Sequence, residues 1–265
     1  MSKLLIAHHH GFKCAGCTVV HLLNRNWPEQ VLHVEHRVVD RRIHCDQVRP
    51  HLDGGNYAGL TSHLLAMPAR GEEIAHVHFG LLRDPIDRLV SAYNFVPEER
   101  RGGSFRAFVA ANRHHACEYH VRHLGVQARA GQGATGWNSD PEAVRLGEPH
   151  VLLGLVERFE DTMFLLERRV AAAGGVFDGS VGGRHNVGKG EALPIDEDLV
   201  QELRELNAAD YRLRDAIDAA LDRELALVDP DGDGRAEYRV RCEARAGVAE
   251  PYLGMMPPTW TYLED

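Results

Sequence analysis

The residues near the N-terminus that are best suited to chemistry form a glycine-containing turn between a strand and a helix. The run GFKCAGCT (residues 11–18) follows an apolar strand-like segment and opens an apolar helix. Such a turn directs backbone N–H groups and the positive end of the helix dipole towards one point, which makes an anion site. Gly11, Gly16 and Thr18 fit the nucleotide-binding loop G-x-x-x-x-G-K-[ST], but Cys17 occupies its lysine position. The lysine of this turn is Lys13, placed early, so an ordinary ATP or GTP site is disfavoured.

A second run suited to ligand binding is LLRDPIDRLVSAY (residues 81–93), which follows another strand-like segment. Asp84 is expected to cap a helix with Pro85 at its first position, which leaves Arg83 at the carboxyl end of the strand. Open α/β sheets bind ligands at this end of their strands. The planar fork of an arginine suits a phosphate, and the Ser91 hydroxyl adds a donor. The alternative is an Arg83–Asp84 ion pair that only stabilises the helix start.

Together the two runs resemble the donor site of sulfotransferases that use 3′-phosphoadenosine-5′-phosphosulfate (PAPS) and release PAP. The first loop of that family reads His-x-Pro-Lys-[Thr/Cys]-[Ala/Gly]-Gly-Thr-[Ser/Thr], from which this chain departs at Phe12 and Cys17. Its 3′-phosphate segment reads Arg-Asp-Pro-x-x-Arg-x-x-Ser-x-Tyr, which residues 83–93 match throughout. The resemblance implies that Arg83 and Ser91 bind the 3′-phosphate. It assigns the 5′-phosphosulfate to the loop residues Lys13, Cys14, Ala15, Gly16, Cys17 and Thr18.

Further segments are similar to carbohydrate-type sulfotransferases and extend the resemblance over about residues 3–221. They include VLLGLVERFED (residues 151–161) and RHLG (residues 122–125). The resemblance implies that His120 and Arg122 bind the acceptor. Asn186 and Lys189 lie in a late polar loop of the kind that often touches the nucleotide in this family, although a solvated loop is an equal alternative.

The resemblance also implies in-line displacement at sulfur, in which positioning and charge stabilisation do most of the work. Lys13 is expected to neutralise the departing phosphate oxygen. A hydroxyl acceptor needs a general base, and histidine titrates in the right range. Among 17 histidines, His63 has the sequence context of the family's histidine near the sulfuryl group. His10 and His78 are the next candidates.

Other chemistries remain open at this stage. Cys14 and Cys17 have the spacing of a redox pair or half a zinc site, but the sequence has no second such pair, and no metal is expected to be required. The run DPDGDG (residues 229–234) resembles the start of a calcium loop, with Val240 where a glutamate is needed. An ATP-dependent phosphotransferase and a non-catalytic nucleotide-binding protein of the same fold are the alternative functions.

The elements that must position these residues alternate between strands and helices. Strands are predicted over 3–9, 31–39, 74–82 and 151–155, and helices over 18–26, 85–93, 104–124, 161–173 and 196–227 with a break near Asn207. This order predicts a P-loop-like three-layer α/β/α fold with a mostly parallel central sheet. Residues 1–228 are expected to form the sulfotransferase domain, and residues 229–265 a turn-rich appendage packed on it.

Composition limits the partners. The 265 residues are 44% hydrophobic and 26% charged, as in a globular protein, and the net charge of -9 disfavours nucleic acid. The sequence has neither a signal-peptide pattern nor an apolar run long enough for a membrane span, so a cytoplasmic protein is expected. A carbohydrate or small-molecule acceptor is predicted. The aromatic tail (residues 252–262) is expected to cover a partner or the acceptor cleft, and the oligomeric state stays open.

Overall fold

The computed structural model describes residues 4–38, 41–126, 144–182, 193–246, 248 and 260–263. The strands are β1 (Leu4–His9), β2 (Val31–His36), β3 (Gly59–Ser62), β4 (Ala75–Leu82), β5 (Val151–Leu155) and β6 (Thr261–Leu263). The helices are α1 (Gly16–Asn26), α2 (Cys45–Leu52), α3 (Pro85–Phe95), α4 (Phe105–Ala111), α5 (Arg113–Ala116), α6 (Tyr119–Leu124), α7 (Phe159–Ala172), α8 (Glu197–Leu206), α9 (Ala208–Val228) and α10 (Asp233–Ala246).

The strands form one sheet in the order β5-β4-β1-β3-β2-β6, and every pair of neighbours is parallel. β1 lies in the middle, with β4 on one side and β3 on the other. The crossovers place helices on both faces, so the predicted three-layer α/β/α fold is confirmed. In such a sheet all carboxyl ends meet at one edge, which is where ligands bind.

Hydrophobic packing fixes the helices against the sheet. One cluster joins β1, β4 and β5 to α1, α7 and α9, with Ile6, Val19 and Leu165 fully buried in it. A second cluster joins β2 and β3 to α2, and a third joins α3, α4 and α8. Each fully buried aliphatic side chain contributes about 1.5–3 kcal/mol relative to exposure. Among the described helices, none is long and apolar enough to cross a bilayer.

The long helix predicted over residues 104–124 is wrong, because the segment forms three short helices, α4, α5 and α6. The chain bends at Glu118, whose φ of 47° is in the left-handed region. Its N–H donates to Asn207 Oδ1 at 3.0 Å, and the N–H groups of His120 and Val121 donate to the Asp210 carboxylate. Side chains from α9 and from the residue before it therefore cap α6, a tertiary interaction that periodicity along the segment cannot reveal.

The C-terminal appendage is also more regular than predicted, because residues 233–246 form helix α10. The Asp229 carboxylate accepts the N–H groups of Gly234 at 2.8 Å and Arg235 at 3.2 Å and pairs with the Arg235 side chain. The acidic run thus starts a helix, and no metal-binding cluster occurs among the described residues. Tyr238 fastens α10 to the domain by donating to the Gly179 carbonyl at 2.9 Å.

Candidate active site

The predicted donor and base residues meet at the carboxyl edge of the sheet. The Lys13 turn follows β1, Arg83 follows β4, and His63 follows β3, and these three strands are adjacent. The Lys13 turn therefore leaves the end of β1, with Arg83 at the end of one neighbouring strand and the candidate base at the end of the other. The parallel topology brings together residues that are as much as 70 positions apart in the chain.

The turn after β1 has the backbone conformation of an anion-binding loop. Lys13 and Ala15 both have left-handed φ values, 64° and 58°, although neither is glycine. Holding a non-glycine residue there costs of the order of 1 kcal/mol, and such strain clusters at functional sites. Alternation of left-handed residues is typical of the backbone nests that bind phosphates at helix starts. Here the nest, residues 13–15, leads directly into Gly16, the first residue of α1.

Gly16 is needed because the His10 ring occupies the space of a side chain. A Cβ on Gly16 would come within 1.9 Å of His10 Cδ2. His10 in turn stacks on His63, with ring centroids 3.8 Å apart. The loop and the candidate base are thus linked through one imidazole ring, which burial holds neutral by lowering the pKa of His10 well below its usual value.

We expect Gly16→Ala to destabilise the fold by about 1–3 kcal/mol, because His10 and the loop must move apart. Alanine by itself favours a helix start, so the cost should disappear largely when His10 is also alanine. Urea unfolding of the two single variants and the double variant measures this coupling. Gly59→Ala is the matched buried control, since its Cβ would meet nothing closer than 3.4 Å. Additive effects in the double-mutant cycle would show that the His10 ring does not impose the requirement.

Two positively charged side chains lie at the nest. Lys13 and Arg83 are both half-buried, and neither makes an ion pair with a carboxylate among the described residues. The Lys13 ammonium lies 4.3 Å above the Phe95 ring. Burial lowers the pKa of Lys13, and the positive charge of Arg83 acts in the same direction. Positive charges near each other without a carboxylate counter-charge favour the binding of anionic groups at this site.

The segment after β4 has the predicted start. The Asp84 carboxylate caps α3 by accepting the N–H groups of Ile86 and Asp87 at 2.9 and 3.0 Å, as the sequence predicts. Ser91 lies one and a half turns into α3 and is half-buried. Both capping bonds are accepted by Asp84 Oδ1, and among the described residues no ion pair joins Asp84 to Arg83.

Tyr119 is a residue of this site that the sequence analysis missed. Its hydroxyl accepts the Phe12 N–H at 2.8 Å and thereby holds the anion loop. The buried Arg88 guanidinium lies 4.1 Å from the Tyr119 ring centroid and also donates to the His115 carbonyl. Tyr119 of α6 therefore contacts both the turn after β1 and Arg88 of α3. The departure from proline at Phe12 has a consequence here, because proline has no N–H to donate to Tyr119.

His63 is paired with a carboxylate that the sequence analysis also missed. Glu35 Oε1 accepts both the His63 backbone N–H and the Nδ1–H of its ring, each at 2.8 Å. The His63 side chain is 40% exposed, whereas that of Glu35 is 14% exposed. Because a carboxylate can only accept, Nδ1 carries a proton, and in the neutral imidazole Nε2 is then the nitrogen with the lone pair. A carboxylate that fixes the tautomer and orientation of an imidazole is the arrangement of an oriented general base.

Comparison with known proteins provides no identity for this chain. No family model matches it, and neither a curated protein nor a solved structure matches it significantly.

The other candidate bases are less accessible than His63. His78 is fully buried in β4, where its Nδ1 lies 3.1 Å from Nε2 of His9. His10 is buried between the rings of His8 and His63, with a centroid distance of 5.1 Å to His8. A base must reach the acceptor hydroxyl to within about 3 Å, which favours His63.

His120 and Arg122, which were expected to bind the acceptor, have structural contacts instead. His120 is fully buried and donates from Nε2 to the Arg83 carbonyl at 2.8 Å. Arg122 donates to the carbonyls of His114, Cys117 and Glu118. Their side chains are used to hold the chain around α5 and α6, so we leave both out of the acceptor site. Asn186 and Lys189 lie outside the described residues.

The cysteines of the loop do not have the character of a redox pair. Cys14 is buried, and burial raises the pKa of its thiol to about 12, so it is neutral near pH 7. Its Sγ donates to the Phe12 carbonyl at 3.5 Å. A buried neutral thiol is unreactive and serves packing.

Proposed function

We propose that this protein is a sulfotransferase that moves a sulfuryl group from PAPS to an acceptor hydroxyl. The observation that carries the proposal is the pair of half-buried cations, Lys13 and Arg83, which lie beside an anion nest without a carboxylate partner among the described residues. A donor with phosphates at both its 3′ and 5′ positions needs two separate cationic contacts. Strand ends β1 and β4 supply them side by side.

The proposed roles follow from position. The nest, Thr18 and Lys13 bind the 5′-phosphosulfate, while Arg83 and Ser91 bind the 3′-phosphate. Lys13 is not an ion-pair partner of a described carboxylate, so its charge is available to the departing phosphate oxygen. Cys17 provides no hydroxyl, which leaves backbone donors and Thr18 as the uncharged contacts of the loop.

The chemical step uses His63, the candidate base at the end of β3. His63 Nε2 takes the proton from the acceptor hydroxyl as its oxygen bonds to sulfur. The bond between sulfur and the phosphate oxygen of the donor breaks, and PAP leaves with the electron pair. Glu35 stabilises the imidazolium that forms. The products are the sulfate ester, PAP and one proton, which His63 returns to water.

The donor assignment predicts strong selectivity for PAP over AMP. We expect PAP to raise the melting temperature of the wild type. Arg83→Ala should weaken PAP binding by about 10- to 100-fold, because a charge-assisted hydrogen bond to phosphate contributes about 1.5–3 kcal/mol. AMP, which lacks the 3′-phosphate, should bind both proteins equally weakly. Thermal-shift titration and calorimetry give the dissociation constants.

Arg223→Ala is the matched control, because Arg223 is an exposed arginine of α9 away from the site. Equal affinity of the wild type for PAP and AMP would refute the 3′-phosphate assignment. Stabilisation by Mg-ATP but not by PAP would favour the phosphotransferase alternative.

A further inference from the structure

The C-terminal strand places a tryptophan next to the candidate base. β6 pairs with β2 in parallel, with Thr261 opposite Val34 and Tyr262 opposite Glu35. Trp260 directly precedes β6, so it lies beside the strand that carries the carboxylate partner of His63. Strand β6 is therefore the edge strand on the side of the sheet where β2 and β3 position Glu35 and His63.

Ring contacts fix the position of Trp260. Its centroid lies 6.5 Å from that of His63, with the rings inclined by 30°, and 5.5 Å from that of His33 in an edge-on arrangement. His33 is buried and its Nε2 lies 3.4 Å from Asn24 Oδ1 of α1. The tryptophan thus rests on an imidazole held against α1 while it remains partly exposed.

An acceptor that reacts at His63 has to lie close to this ring. Its hydroxyl must come within about 3 Å of His63 Nε2. Since the two ring centroids are 6.5 Å apart, a ring whose hydroxyl reaches Nε2 can also contact the indole. The charge that contacts His63 is the Glu35 carboxylate, which disfavours an anionic acceptor here.

We propose that Trp260 is the platform of the acceptor site and that the acceptor carries its hydroxyl on a neutral ring with an apolar face. An aromatic ring and the C–H face of a pyranose both have this chemistry. This inference rests on the proposed function for the position of the reacting hydroxyl. It also gives the C-terminal tail a role in substrate recognition.

Calorimetric titration of the complex with PAP tests the platform directly. The probes are 2-naphthol and methyl glucopyranoside as ring-borne hydroxyls, and 1-butanol as the acyclic control. We expect Trp260→Ala to weaken binding of at least one ring probe by about tenfold and Trp260→Phe by less than about threefold, while 1-butanol binding is unchanged. The two ring probes separate an aryl acceptor from a sugar.

Tyr262→Ala is the matched control, because Tyr262 is on the same strand, is 50% exposed and lies opposite Glu35. It should leave ring binding and PAP binding intact. Unchanged ring binding in Trp260→Ala, equal losses in Trp260→Ala and Trp260→Phe, or no binding of either ring probe to the wild type would each overturn the platform. If PAP itself does not bind, the donor proposal fails, and the same titrations on the free protein still decide the role of Trp260.

Discussion

Replacing His63 by alanine is expected to lower sulfuryl transfer by about 10²–10⁴-fold, the usual contribution of a general base. The binding of PAP should change little, because His63 follows β3 and is not among the residues that are assigned to the nucleotide. The effect should therefore fall on kcat and leave the affinity for the donor intact. Release of PAP from PAPS in the presence of 2-naphthol measures it.

The carboxylate partner gives a graded version of the same test. Glu35→Gln keeps the shape of the side chain but removes the charge, and its amide can donate to Nδ1 and select the wrong imidazole tautomer. We expect a loss of kcat of about 10- to 100-fold, less than for His63→Ala, with the donor affinity again unchanged. Glu35→Asp, which restores the charge on a shorter side chain, should recover part of the activity.

Controls separate chemistry from folding in these variants. Added imidazole should rescue part of the activity of His63→Ala, because a small base can enter the space that is left. His51→Ala replaces an exposed histidine of α2 and should behave as the wild type. Full activity of His63→Ala would remove this residue from the mechanism, and a loss of PAP binding in Glu35→Gln would assign Glu35 a structural role only.

The second large effect is a steep loss of stability on acidification. Burial is the largest cause that lowers the pKa of six described histidines, to about 3 for His9 and to about 4 for His33. The other four are His8, His10, His120 and His123. Their folded pKa values lie below the unfolded value of 6.5. Below pH 6.5 the unfolded chain therefore binds protons that the native protein does not bind. Their contribution is fully present above pH 6.5 and is lost as the pH falls from 6.5 towards the folded pKa values, which are about 4 for His33 and about 3 for His9.

The expected magnitude is large in relation to the stability of a domain. Each such histidine costs up to about 1.4 kcal/mol per pH unit below 6.5, so the six together lower the free energy of unfolding by several kcal/mol on acidification. Typical domains have only about 5–15 kcal/mol of stability. We therefore expect the free energy of unfolding to fall steeply as the pH drops below 6.5, measured by urea titration at several pH values with circular dichroism.

Single replacements test the origin of that slope. His33→Gln should flatten it by about 1.4 kcal/mol per pH unit, whereas His51→Ala on the surface should not alter it. A free energy of unfolding that is constant between pH 7.5 and 5.5 would show that the buried imidazoles take up protons in the native state.

Much of the architecture could be predicted from the sequence, because local chemistry specifies it. The apolar runs of β1, β4 and β5, the Asp84 cap with Pro85, and the break at Asn207 all lie where the sequence predicts them. Each of these signals is contained within a few residues. The alternation of strands and helices then leaves a parallel sheet as the economical arrangement.

The elements that the sequence did not predict depend on distant partners. β3 is four residues long and becomes a strand because β1 and β2 flank it on both sides. The division of residues 104–124 depends on Asn207 and Asp210, which are about 90 positions away. β6 forms only where β2 offers an unpaired edge.

The sequence by itself indicated the proposed donor residues and the candidate base, and the tertiary structure alone decided which residues surround that base. Lys13, the nest and Arg83 belong to compact motifs, each of which combines a strand end, a turn and a helix start, so local patterns disclose them. Glu35 of β2 and Trp260, which precedes β6, lie next to His63. His120 is buried, and its Nε2 donates to the Arg83 carbonyl. Only the order and register of the strands bring such residues together, and strand order is a property of the folded chain.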